Sequence, residues 1–311
     1  MMIIAKFYFF LLWGLILMED ENARKLIINA VEKTRPTWSS WGVHWVDLDE
    51  VFLTRAYTQM GFDSWIFADR LQENNILSID KIGRILDNGH FKRSYDREIA
   101  SSLNSPLYIL MSKGVFGEEG ENFFKSIQDF DGGKGAAFWK LLWEMLVCCN
   151  YLKSNYKGSF VYYLKNKYAK YKNLVEISDE DFFSTSVNDW DDFKEVMKPW
   201  NELYGVGLNV FDYVMGDVEE LEFVKNSYKL DSANIHFLKI TGLCSSKDLD
   251  HEKVSSFLLE LDLPYKLREV NKGLYAYCSE TEANTYGFCR KISKCDECKV
   301  KDICEMNFNK I

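Results

Sequence analysis

Residues 199–231, PWNELYGVGLNVFDYVMGDVEELEFVKNSYKLD, constrain this chain more than any other stretch. Pro199 suits a first helical turn, with Trp200 and Leu203 on one face. Gly205 and Gly207 stand one residue apart, and glycine accepts φ > 0 without a Cβ clash, so a tight turn is expected there. Val210, Phe211 and Val214 then share a helical face that Gly216 ends. The expectation is helix, hairpin, helix. Backbone N–H groups of Val206, Gly207 and Leu208 would point outward at the second helix's N-terminus, where an anion such as a DNA phosphate fits. The plainer alternative is a loop between two core helices. Downstream, Asp231 precedes a new apolar run, Ile235, Phe237 and Leu238.

The second constraint lies in the tail. Of eight cysteines, Cys289, Cys295, Cys298 and Cys304 read C-x5-C-x2-C-x5-C. The two-residue gap suits metal thiolates better than disulfides, and both zinc and a 4Fe–4S cluster accept four Cys. Arg290, Lys291, Lys294, Lys299 and Lys301 surround them against Asp296 and Glu297, a basic stretch suited to a DNA backbone. Cys244 and Cys278 read as buried thiols, and so do Cys148 and Cys149. The whole chain carries −9, so any DNA affinity must come from local patches rather than the total.

The 311 residues are 47% apolar with only 4 Pro, which argues for a mainly helical protein with a real core. Residues 1–18 hold an apolar run; the preferred reading makes Met18 the true start, against a signal anchor or a docked helix. Residues 19–135 are expected as an N-terminal helical region, with helices near 22–33, 47–59, 64–73, 79–87, 95–112 and 121–128. Gly132-Gly133 is the candidate boundary before residues 136–288, and residues 289–311 form the cysteine tail. Trp38, Trp41 and Trp45 with His44 form either a stacking surface for unpaired bases or a buried aromatic knot. The acidic residues of 176–195 read as a solvated, helix-capping face rather than a Mg²⁺ site.

Hairpin, Asp231 and four-cysteine tail, in that order, resemble the endonuclease III branch of the helix-hairpin-helix DNA glycosylases over roughly the last third of the chain. The resemblance implies an all-α glycosylase fold with a C-terminal 4Fe–4S loop on Cys289, Cys295, Cys298 and Cys304, and an N-terminal helical extension. The helix AAFWKLLWEMLVCCN would be the first barrel helix, which would put Cys149 or Asn150 near the duplex. Asp231 matches the family's catalytic carboxylate, which stabilises positive charge growing on the deoxyribose. Asn209 occupies the position of the lyase lysine, and Asn forms no Schiff base, so a monofunctional enzyme is implied unless Lys225, Lys229 or Lys239 substitutes. Gly205, Val206, Gly207, Leu208, Arg290, Lys291 and Lys294 would meet the backbone of lesion-bearing double-stranded DNA, whose target base is flipped out. The resemblance thus implies a cytoplasmic, monomeric base-excision enzyme without a stable membrane partner. Two rivals stand beside it: a non-catalytic iron–sulfur DNA binder, and a zinc-stabilised helical interaction protein.

Overall fold

The computed structural model describes residues 20–58, 64–87, 116–127, 135–244, 249–280 and 286–308, with backbone only for 135–139. Among them every regular element is helical, and an isolated bridge joins Val43 and Val218. The all-α expectation therefore holds for the described residues. The leader 1–18, the expected helix 95–112 and Gly132-Gly133 lie outside them.

The chain divides into two compact units, and the division is not the one expected. Unit 2 is the continuous stretch Val43–Val224, while unit 1 joins Met1–Gly42 to Lys225–Ile311. A boundary near 135/136 would cut unit 2 through its core, where helices from both sides of that point pack together. Residues 20–42 belong with the cysteine tail.

Unit 2 contains α2 (Leu48–Ala56), α3 (Ser64–Glu73), α4 (Ile79–Ile85), α5 (Gly117–Ile127), α6 (Gly135–Tyr156), α7 (Phe160–Tyr171), α8 (Asp179–Phe183), α9 (Val187–Met197) and α10 (Leu208–Met215). Helix α6 is apolar on most sides because it is central: Trp143, Leu146, Cys148, Cys149 and Leu152 are all buried. Cys149 touches the α4 backbone at Gly83, where a Cβ would lie 2.7 Å from its carbonyl oxygen. Asn150 spends its amide on Gly83 O (2.8 Å) and Asp87 Oδ1 (2.9 Å). Core packing thus replaces the placement of Cys149 against a duplex. Helix α7 begins where two acceptors wait: Ser159 Oγ takes the Tyr162 N–H at 3.0 Å, and Asp49 of α2 takes the Val161 N–H at 2.9 Å.

The acidic stretch behaves as a solvated face. Ser178 and Ser186 cap α8 and α9, with acidic residues in the first turns of both helices. Lys165 pairs with Asp179 at 2.5 Å and Lys172 with Asp189 at 2.7 Å, while Phe182, Trp190 and Phe193 turn into the core. The hydrogen bond to Asp192, with burial adding to it, pushes the Tyr171 phenol up to about 12.

Unit 1 contains α1 (Asp20–Trp38), α11 (Ser232–Thr241), α12 (His251–Glu260) and α13 (Leu267–Cys278), followed by the cysteine tail. Helix α1 runs five residues past its expected end at 33, because Trp38 is buried and donates from Nε1 to Val31 O at 2.9 Å. It packs on α13 so closely that a Cβ on Gly273 would meet Val31 Cα at 2.8 Å. Thr34 seals the contact by donating to Gly273 O at 3.1 Å.

The tryptophan cluster is divided between the two units. Trp38 is buried in unit 1, Trp41 packs edge-on against Tyr275 in the same unit, and Trp45 is buried in unit 2 against Phe182 and Phe183. His44, exposed, approaches Glu220 at 3.2 Å. The packing reading holds for Trp38 and Trp45, in two separate cores.

Candidate functional site

The hairpin belongs to unit 2. Pro199–Glu202 form a 3₁₀ turn, Val206 N–H returns to Leu203 O at 3.0 Å, and α10 starts at Leu208. The two glycines have different work. Gly205 sits at φ 79, the left-handed region that glycine tolerates, and a Cβ there would meet the Glu144 side chain at 2.8 Å. Gly207 lies at φ −98 and needs no such freedom; a Cβ on it would meet nothing within 4 Å. From behind, the buried Tyr57 hydroxyl donates to Tyr204 O at 2.8 Å and fixes the tip.

Of the three amides expected to face outward, Val206 is therefore withdrawn into the turn. Gly207 is the N-cap of α10 without a side-chain cap, and the position its Cβ would take is open space. A helix start of this kind carries partial positive charge and leaves room for a group to approach. Asn209, two residues after Gly207, is half-buried in α10.

Asp231 belongs to unit 1, where it is the N-cap of α11. Its Oδ1 accepts from Asn234 N (2.8 Å) and Asn234 Nδ2 (3.0 Å). Its Oδ2 has a long 3.5 Å contact from Asn271 Nδ2, so one oxygen caps the helix and the other is only loosely held. Behind it stands a buried polar network. The Tyr228 hydroxyl donates to Asn234 Oδ1 at 2.6 Å, Asn271 Nδ2 donates to Lys229 O at 2.7 Å, and the Arg268 guanidinium donates to Asn271 Oδ1. Burial, with the charge of Asp231 adding to it, holds the Tyr228 phenol well above its ordinary range. The sequence reading missed Asn234, Asn271 and Arg268; the signal was polar residues at buried helical spacing. Of the other carboxylates, Asp217 is buried against Arg55, whose guanidinium also lies over the Tyr213 ring at 5.6 Å. That pair is a structural ion pair of unit 2.

The tail wraps through two short 3₁₀ turns, Ile292–Glu297 and Lys301–Ile303. All four cysteines are free, half-buried thiols. Cys289 takes a left-handed φ of 63, held by His236 Nε2 donating to its carbonyl at 2.7 Å. A hydrogen bond with Cys278 and burial hold the Cys289 thiol far above its ordinary range. Burial, with the thiols of Cys289, Cys298 and Cys295 adding to it, pushes Cys304 up to about 11. Cys295 is raised by burial and by Cys289 and Cys298. Cys295 and Cys304 are thus each disfavoured as thiolates by their neighbours in the tail, a repulsion that a bound cation would reverse. The donor set, four cysteines in one tail, fits a thiolate-bound metal in type. Among the described residues, no group of three or more His, Cys, Asp or Glu side chains is drawn together as a metal site.

The basic side chains around the tail are less available than their number suggests. Lys291 pairs with Glu280 and Lys301 with Asp296, both at 2.6 Å. Arg290 Nε donates to Cys278 O at 2.8 Å, and Lys294 lies over the Phe288 ring at 5.7 Å. No described helix is long and apolar enough to cross a membrane. No family model, curated protein or solved structure matches the chain.

Proposed function

We propose that this chain is a helix-hairpin-helix DNA glycosylase that hydrolyses the N-glycosidic bond of a damaged or mismatched base without cutting the strand. The observation that carries the reading is the start of α10: a turn locked by Gly205 and Tyr57 leads to a helix N-terminus with no side-chain cap and open space at Gly207. A phosphate oxygen fits such a position, because amide donors and the helix dipole both favour negative charge. Asp231 supports the chemical part. Its Oδ1 is committed to α11, while Oδ2 remains the oxygen able to face a growing positive charge on the sugar or to orient water. Asn209 supports hydrolysis without lyase action, since a carboxamide is no amine nucleophile.

Cys289, Cys295, Cys298 and Cys304 would hold a 4Fe–4S cluster, whose part when bound is to fix the tail. Arg290 and Lys291, both exposed residues, and the half-buried Lys294 would then meet the DNA backbone. Protein purified without oxygen should carry about four iron and four sulfide per chain.

The test is a panel of lesion-bearing duplexes incubated with protein and then treated with alkali. Strand breaks that appear only after alkali, with no covalent complex trapped by borohydride, are the expected result. Binding without conversion of any lesion would favour the non-catalytic relative. The paired lysines of the tail and the net charge of −9 favour the third reading, a zinc-stabilised interaction protein. Stoichiometric zinc and no salt-dependent DNA affinity would select it.

A further inference from the structure

Tyr277, on α13, carries a hydroxyl between two partners. Its ring is fixed by stacking on Phe288 (4.5 Å between centroids, planes at 13°) and by an edge contact with Phe237 at 6.0 Å. Its oxygen stands 3.3 Å from Cys298 Sγ. From α1, Asn29 Nδ2 donates to that same oxygen, also at 3.3 Å. An amide N–H can only donate, so the phenol oxygen accepts there and its own proton is left for sulfur. A metal-bound thiolate has no proton, so the bond to it must run from the hydroxyl.

We infer that Tyr277, oriented by Asn29, is a positioning residue that donates a hydrogen bond to Cys298 and thereby sets the reduction potential of the metal group held by the four cysteines. The inference rests on the iron–sulfur reading above. A hydrogen bond to a ligating sulfur withdraws electron density, which favours the reduced state and raises the potential. Asn29 lies more than two hundred residues from the tail in sequence, so α1 would tune a site to which it gives no ligand.

The experiment uses the full chain purified without oxygen, with iron content and midpoint potential measured on wild type, Tyr277→Phe and Asn29→Asp. Phe keeps the ring and its stacking and removes only the hydroxyl. A carboxylate at 29 accepts the phenol proton and draws it away from Cys298. Both variants should retain wild-type iron and shift the potential to more negative values, with the sulfur-to-iron absorption moving to longer wavelength. If Tyr277→Phe fails to hold iron, Asn29→Asp decides. Iron in the variants at an unchanged potential overturns the inference and leaves the cluster reading standing. A wild-type chain without iron overturns the cluster reading and the inference with it.

Discussion

Gly205 and Gly207 look alike in the sequence and differ in physics. A side chain at 205 must adopt a left-handed backbone and push into Glu144, so Gly205→Val should destabilise the protein by about 2 kcal/mol or more. A Cβ at 207 meets no other atom within 4 Å. Gly207→Val should therefore cost no more than about 1 kcal/mol, the price of a poorer N-cap. It should weaken binding to all duplexes alike, because backbone contacts carry no sequence information. Thermal melts and titrations of several duplexes separate the two effects. A loss confined to one lesion, or none, would speak against a phosphate at α10. The glycine pair was legible as a turn, but which glycine needs positive φ and which has open space depends on Glu144, distant in sequence. Asp231 was legible as an N-cap before an apolar run. Its buried partners Asn271 and Arg268 were not, since α13 reads locally as an ordinary amphipathic helix.

The elements most readily read were those whose periodicity was set by their own core. Helix α3 falls on its expected bounds, and α10 buries Phe211 and Val214 as its pattern required. Ends decided by tertiary partners were less legible, as with α1 and Trp38. At the start of α7, Asp49 adds an acceptor from a different helix to the local cap of Ser159. Burial raises the Asp49 carboxyl above its ordinary 3.8, with bonds from Val161, Ser159 and Phe160 opposing. The folded state then binds more protons than the unfolded one between these two pKa values, so this residue's contribution to stability falls as pH rises through that window. Asp49→Asn keeps an acceptor and removes the titration. Its stability relative to wild type should grow from about pH 4 upward until Asp49 is ionised in the fold, then level off. Asp49→Ala should cost about 1 kcal/mol near neutral pH through the lost cap. Urea unfolding across pH checks both, and a pH-independent difference for Asp49→Asn would contradict the assignment. At the α1–α13 contact, Gly273→Ala forces a methyl onto Val31 and should cost about 1–3 kcal/mol.

At the scale of the molecule, the sequence misleads because its loudest break, Gly132-Gly133, is not where the compact units divide. Unit 1 draws α1 from the start of the chain onto α13 near its end, a pairing set by the Val31–Gly273 contact and invisible to a local pattern. The helical class and the grouping of four cysteines in one tail were readable, because each rests on neighbours in sequence. The pairing of Lys291 and Lys301 with acids was not, and it reduces the positive charge that the tail presents. The hairpin stands in unit 2 and the loosely held carboxylate oxygen of Asp231 in unit 1, and the proposed hydrolysis depends on that carboxylate. Single-turnover kinetics of wild type and Asp231→Asn, on whichever lesion the duplex panel identifies, test it most directly. Asn retains the cap of α11, so folding and DNA binding should survive. Loss of the charge should slow cleavage by at least about a hundredfold, on the order of 3 kcal/mol of transition-state stabilisation. Cleavage by Asp231→Asn at the wild-type rate would show that Asp231 is not the catalytic carboxylate.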